Sequence, residues 1–267
     1  MAHDTAFHGD PQHYDRTRAL PPEVLQAIVD RLVERLPQGE MVLDVGAGSG
    51  RFALPLAERG IPVLALDLSP QMLQHLQAKK DRSALFPLPS LGDAMRLPFL
   101  DGVFPAIFSV HTLHLVADLE STLDELARVL RPGGLFALGY IDHALQGPVG
   151  WTLAAWRRAL AERGYDLSQP MWRDYPQVVE ALTRRFGQPH TVVAARWQKQ
   201  VTPAQVLEGV SKRQFTPYWG LPAREHAAVV AELQQHAAHV FGNLDTPRAD
   251  PRRFVWHFFG SAAAREA

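Results

Sequence analysis

The feature that most restricts how this chain can fold is the run Val42-Leu43-Asp44-Val45-Gly46-Ala47-Gly48-Ser49-Gly50, in which a short apolar stretch passes directly into glycines at every second position. The apolar stretch reads as a buried parallel strand. The glycines after it let the backbone turn tightly and approach a ligand with no Cβ in the way. A dinucleotide-binding loop would show G-x-G-x-x-G, with its third glycine where Arg51 stands, so that a helix start could meet a pyrophosphate. The spacing disfavours NAD or FAD, and with them a nucleotide-cofactor oxidoreductase.

The sequence around the loop alternates between two periods. Val24, Leu25, Ile28, Leu32, Val33 and Leu36 recur at three- and four-residue steps after Pro21 and Pro22, which predicts an amphipathic helix ended by Gly39. A helix over about 51–59, a strand over 61–66 and a helix capped by Ser69, with Pro70 at its first position and Met72, Leu73 and Leu76 as its stripe, are expected next. A third strand near 85–91 is interrupted by Pro87 and Pro89. A fourth at 106–110 has Pro105, which lacks an N–H, at its start. A helix over 118–130 carries Leu119, Leu123, Leu126 and Leu130 on one side and is stopped by Arg131-Pro132-Gly133-Gly134 before a fifth strand at 135–141. Strands alternating with helices predict an α/β fold with a doubly wound, mostly parallel sheet covered on both faces.

Beyond residue 142 the pattern changes, with helices expected over 151–163, 175–186, 203–212 and 222–241 and strands over 191–201 and 253–259. No repeat, low-complexity linker or domain boundary is visible. The expectation is a single domain over 1–267 with a seven-stranded sheet. Its core covers about 22–142 plus strands at 191–201 and 253–259, and a helical cover is inserted over about 144–188 and 202–242.

Composition narrows the chemistry. With no cysteine there is no disulfide framework, no thiolate zinc site and no cysteine nucleophile, and no metal site is expected. A net charge of −1 with no basic tail gives no electrostatic footprint for nucleic acid. No segment reaches the roughly 18 to 20 consecutive apolar residues of a membrane helix, and residues 1–10 hold no apolar run, so a cytoplasmic location is the default expectation.

Asp44, Gly46, Gly48 and Gly50 spell D-x-G-x-G-x-G, which resembles the first motif of the class I S-adenosylmethionine-dependent methyltransferases. Asp67 closes the second strand, where an acidic side chain can accept from both hydroxyls of a ribose; the alternative is a strand-end residue beside the Ser69 cap. Gly92-Asp93-Ala94 resembles the family's G-D-A motif, whose carboxylate accepts from the adenine amino group while the next backbone N–H meets a ring nitrogen. Leu130-Arg131-Pro132-Gly133-Gly134 resembles its L-K-P-G-G turn, with Arg for Lys. These motifs span about 41–141 and are similar to the ubiquinone/menaquinone-biosynthesis-like branch, methyltransferase type 11. The chain departs from it at Phe104-Pro105, where members often have Phe-Asp.

The resemblance implies a Rossmann-like methyltransferase fold and S-adenosylmethionine as donor. Asp44, Gly46, Ala47, Gly48 and Gly50 would surround it, with Asp67, Leu68 and Met72 after the second strand and Asp93, Ala94 and Met95 after the third. Val110 would contribute from the fourth. Tyr14-Asp15 resembles the Tyr-Asp element with which many relatives close over the methionine end of the donor, and Arg18 follows one turn later; an N-terminal helix merely packing through Tyr14 is the alternative.

In this fold the end of the fourth strand faces the transferred methyl group. Here it reads Ser109-Val110-His111-Thr112-Leu113-His114-Leu115. The Asn/Asp-Pro-Pro-aromatic motif of enzymes acting on DNA amino groups is missing, as are the paired glutamates of protein-arginine enzymes. A small-molecule or lipid-like acceptor remains. Methyl transfer is an in-line displacement, so a base matters only where the nucleophile starts protonated. His111 and His114 are the candidate catalytic residues, each either a base or a loop-holding hydrogen bonder. Trp151, Trp156, Tyr165, Trp172, Phe215, Tyr218 and Trp219 would furnish the helical cover over the acceptor or pack as its core. A non-catalytic module that binds S-adenosylmethionine carries the same motifs and stands as the alternative function.

Overall fold

The computed structural model of the protein describes residues 10–80, 85–170, 172–214, 218 and 220–260, so Phe215 and Trp219 lie outside the described residues. The chain divides into two units. The first comprises the described residues up to Tyr140, Tyr175–Ala195, and those from Val255 on; the second comprises Ile141–Asp174 and Arg196–Phe254.

The first unit follows the alternation read from the sequence. Its elements are α1 (Pro11–Arg18), α2 (Pro22–Val33), β1 (Val42–Val45), α3 (Ala53–Glu58), β2 (Val63–Asp67), α4 (Pro70–Ala78), β3 (Leu88–Leu91), β4 (Phe104–Val110) and α5 (Leu119–Val129). After them come β5 (Leu130–His143), α6 (Pro148–Glu162), α7 (Tyr175–Phe186), β6 (His190–Val201), α8 (Pro203–Ser211), α9 (Ala223–Phe241) and β7 (Arg248–Phe259). The seven strands form one sheet in the order β3-β2-β1-β4-β5-β7-β6. The pairings of β1 with β2 and β4, of β2 with β3 and of β4 with β5 are all parallel. Parallel strands are buried on both faces, and β1 accordingly has no exposed residue at all.

Local chemistry fixes the helix starts. The Ser69 hydroxyl accepts from the Met72 amide at the head of α4, and Asp118 accepts from the Ser121 amide at 3.1 Å at the head of α5. One face of α2 buries Val24, Ile28, Val29 and Leu32, and the Ile28 carbonyl accepts from the Trp256 indole of β7 at 3.0 Å.

Several bounds differ from the sequence reading, with β7 beginning at Arg248 instead of 253 and β4 at Phe104 instead of 106, and two differences change what an element does. β5 begins at Leu130 instead of 135, because Leu130 already pairs with Phe104 before the ladder shifts register and resumes at Ala106 with Leu135. The Arg-Pro-Gly-Gly segment is thus an irregularity within the strand. A Cβ on Gly134 would lie 2.9 Å from the Pro105 carbonyl oxygen, so only glycine fits that crossing. The second difference is α7, which the sequence places in the helical cover. Its buried Val178, Ala181 and Leu182 share one hydrophobic cluster with Leu123, Leu126, Phe136 and Phe259, so α7 covers the sheet.

The second unit has its own core. Trp156, Leu160, Leu207, Val210, Val229 and Leu233 are buried together from α6, α8 and α9. The aromatics pack on each other: Trp156 meets Tyr218 edge-on at 5.0 Å, Trp151 meets Phe241 at 5.2 Å, and Tyr165 meets Trp172 at 5.0 Å. No helix of the described residues is long and apolar enough to cross a membrane.

Candidate functional site

The strand order reverses between β1 and β4, and in open α/β sheets the crevice beyond the carboxyl ends of the strands at such a switch point is where ligands bind. The glycine loop leaves β1 there, and His111 to His114 leave β4 beside it. A surface groove of about 500 Å³ between Leu36 and Arg131 lies at the opposite, amino-terminal edge of these strands and belongs to neither loop.

The three loop glycines do different things, although all have positive φ, at 78° for Gly46, 57° for Gly48 and 82° for Gly50. A Cβ on Gly46 would collide with the Thr112 side chain and one on Gly50 with Leu76, so these two are glycines for packing. A Cβ on Gly48 would meet nothing within 4 Å. Of the three, Gly48 alone presents an open backbone face.

Asp67 lies against that residue. Its Oδ2 accepts from the Gly48 amide at 2.7 Å and its Oδ1 from the Ser69 amide at 2.8 Å. Each carboxylate oxygen has two acceptor positions, so the side chain keeps acceptor capacity beyond the backbone amides that reach it. Burial pushes its carboxyl above the usual carboxylate range, against the opposing pull of the Ser69, Gly48 and Leu68 amides. Asp44, 3% exposed, is raised further, by burial first and then by the Asp67 charge, with Arg51 opposing. A third carboxylate, Asp93, accepts from the Met95 amide at 2.9 Å in the turn after β3, and the Gly92 amide donates to the Asp67 carbonyl at 3.0 Å.

The remaining expected residues divide between surface and interior. Leu68 is 40% exposed, whereas Met72, Ala47, Ala94 and Val110 are all buried. Tyr14 and Arg18 sit on α1, with the Arg18 guanidinium 5.7 Å from the Tyr14 ring centre. The side chain that docks α1 is Asp15, which accepts from the Ser49 hydroxyl of the glycine loop, bonds His75 Nε2 at 2.9 Å and accepts from Lys79 Nζ at 2.7 Å. Arg51 adds a bond to the Arg18 carbonyl at 3.0 Å.

At the end of β4 the structure adds a residue the sequence reading missed. The Tyr175 hydroxyl, from the first turn of α7, lies 2.7 Å from His111 Nδ1 and 3.1 Å from His114 Nδ1. His111 is in the left-handed region at φ 57°, a conformation disfavoured for any residue with a Cβ. Nothing in the spacing of Tyr175 ties it to residues more than sixty positions earlier; only the docking of α7 on the sheet does so.

Comparison with known proteins agrees with this architecture. The model of a family described as a methyltransferase domain matches residues 43–138. An uncharacterized methyltransferase of Mycobacterium tuberculosis is 30% identical over 206 residues, 76% of this chain and 74% of the relative. A demethylmenaquinone methyltransferase of Beutenbergia cavernae is 31% identical over 206 residues, 69% of this chain and 82% of the relative. Among solved structures, the YcgJ protein of Bacillus subtilis superposes with a TM-score of 0.55 at 19% identity, covering 88% of this chain and 98% of that one. The chain belongs to the class I S-adenosylmethionine-dependent methyltransferases, in the branch typified by the ubiquinone/menaquinone-biosynthesis-like enzymes.

Proposed function

We propose that this protein transfers the methyl group of S-adenosylmethionine to a small-molecule or lipid-like acceptor, with the donor held across the carboxyl ends of β1, β2 and β3. The observation that carries this reading is the pairing of Asp67 with Gly48, which sets a carboxylate with spare acceptor positions beside an open stretch of backbone. Such a pair suits a ribose whose two hydroxyls donate to one carboxylate while the rest of the ligand passes over the glycine. In this reading Asp93, in the turn after β3, accepts from the adenine amino group. The raised Asp44 and Asp67 carboxyls make the pocket receptive to positive charge, which the donor carries on its sulfonium and ammonium groups.

When bound, the donor supplies an electrophilic methyl carbon. The chain's own share is to hold it, to place the acceptor in line and to manage a proton where the nucleophile carries one. In this reading Tyr14 and Arg18 on α1 close the methionine end, and the bonds of Asp15 to Ser49 and Lys79, which lock that helix to the glycine loop, support it. The relative named for demethylmenaquinone supports the lipid-like end of the acceptor class. Calorimetry with S-adenosylmethionine, S-adenosylhomocysteine, NAD and ATP tests the donor assignment. Binding of the first two alone is expected, and a preference for NAD or ATP would overturn it.

A further inference from the structure

We propose that Arg128 is a positioning residue for recognition of the donor's base: by anchoring Leu97 it fixes the turn that carries Asp93, and so sets how strictly the protein requires adenine. The role rests on the reading of Asp93 as acceptor from the adenine amino group, whereas the anchoring rests on geometry.

The chain between β3 and β4 has no helix or strand of its own to hold it. Asp93 opens a tight turn that closes mostly on itself. Its Oδ1 accepts from the Met95 amide at 2.9 Å, its carbonyl accepts from the Arg96 amide at 3.0 Å, and Asp93 and Arg96 form an isolated antiparallel bridge. Such bonds keep the turn's shape but not its place. Upstream the turn is tied to β2, where the Gly92 amide donates to the Asp67 carbonyl at 3.0 Å. Downstream the first polar tie is at Leu97, and α5 makes it: the Leu97 amide donates to Glu125 Oε2 at 2.7 Å and the Leu97 carbonyl accepts from Arg128 Nη2 at 3.0 Å. The Leu97 side chain is buried in one cluster with Leu123 and Leu126 of the same helix.

Arg128 uses all five of its N–H groups in this work. Nε and Nη2 donate to the two oxygens of Glu125 at 2.7 and 2.8 Å, Nη2 also reaches the Leu97 carbonyl, and Nη1 donates to the Phe99 carbonyl at 2.8 Å and to Asp101 Oδ1 at 2.7 Å. Its own carbonyl accepts from the Gly102 amide at 2.8 Å. The ion pair with the exposed Asp101 contributes little by itself, but the forked pair with Glu125 is the strong form of the interaction. The guanidinium holds the Glu125 carboxyl below its ordinary range against the opposing effect of desolvation, and the Leu97 amide adds to the pull. A lysine has three N–H groups on one nitrogen and no planar fork, so it cannot hold Glu125, Leu97 and Phe99 together.

The consequence for the ligand is specific. The ribose and the methionine end are read onto β1, β2 and α1, and the bonds of Arg128 go to none of these. Loosening Leu97 therefore weakens selection of the base more than binding as a whole. A site built to hydrogen-bond one group rejects an analogue lacking it only while its own polar atoms are held in place.

The test is calorimetry of the full-length chain with S-adenosylhomocysteine and with S-inosylhomocysteine, whose base carries an oxygen where adenine has its amino group and so offers Asp93 no proton there. The parent should prefer the adenine ligand by roughly tenfold or more, the scale of a hydrogen bond to a charged group. In Arg128→Lys the preference should fall at least roughly threefold, the coupling expected within one hydrogen-bonded network. In Asp93→Ala it should be lost, and adding Arg128→Lys should then change the ratio no further. A purely structural role would lower Tm and weaken both ligands in proportion, so a folded Arg128→Lys protein with the parental ratio overturns the proposal. Should Arg128→Lys not fold, Glu125→Gln, which keeps the side-chain size and gives up the charge that grips Arg128 and Leu97, is read by the same ratio. Equal binding of both ligands by the parent would overturn the Asp93 reading and this role with it, and binding of neither would overturn the donor reading.

Discussion

The Asp67 carboxylate accepts a hydrogen bond from the Gly48 amide at 2.7 Å, so the side chain proposed for a ribose and the open backbone position of the glycine loop are parts of one structure. Replacing Asp67 by Ala removes the ligand's acceptor and the anchor of the loop together. Donor affinity should fall by about 2 to 3 kcal/mol, the scale of lost hydrogen bonds to a charged group. Calorimetry on the folded variant checks this, and unchanged affinity would remove Asp67 from the site.

Glycine replacements should separate ligand from fold. Gly48→Val points its side chain into open space and keeps a positive φ that costs roughly 1–2 kcal/mol, so the protein should fold with a lowered Tm but lose its donor-induced stabilisation. Gly46→Ala drives a Cβ into Thr112 and should lower Tm more. Thermal melts with and without donor read both effects. A Gly48→Val protein still stabilised by donor contradicts the placement of the loop.

Much of this arrangement was legible in the sequence because it is local. Three glycines in alternate positions after an apolar strand announce positive φ and close approach, and Ser69-Pro70 announces a helix start; both are written within a few residues. What stayed hidden depends on distant packing. The stripe of Val178, Ala181 and Leu182 shows that α7 is amphipathic but not which surface it covers, so Tyr175 could not be brought to His111 and His114. The division of labour among the glycines was equally invisible, since it depends on Thr112 and Leu76 arriving from other elements. The early start of β5 was hidden because Pro and Gly signal a turn whether or not a strand bulges through it.

Asp15 should mark the acid stability of the α1 junction. Burial raises its carboxyl, but bonds from Lys79, Ser49 and His75 outweigh that and hold it below the ordinary value of 3.8. A depressed carboxyl contributes stability that is present above its unfolded pKa and lost as the pH falls through its folded one. The Tm difference between the parent and Asp15→Asn should therefore be constant near neutrality and shrink once the pH drops below about 3.8. A difference that grows on acidification would contradict the ion-pair account.

Donor binding should respond to acid with the opposite placement. Asp67 and Asp44 are raised, so they protonate at higher pH than ordinary aspartates. Their ionised forms cost the free protein stability, a cost relieved as the pH falls through the raised values, whereas the donor needs them ionised. Affinity for S-adenosylmethionine should decline from a pH above 3.8 without matching loss of the free protein's stability. Affinity flat down to the pH of unfolding would show that neither carboxylate serves the ligand.

Methyl transfer is measured by incubating the purified protein with native cell extract and a donor whose methyl group carries an isotopic label, then following small molecules and lipids by mass spectrometry. S-adenosylhomocysteine should form together with a labelled methyl group on a small-molecule or lipid-like acceptor, and Gly48→Val should abolish both. Donor binding without S-adenosylhomocysteine in any extract would contradict it and make the protein a binding module; label appearing in nucleic acid would contradict the acceptor class.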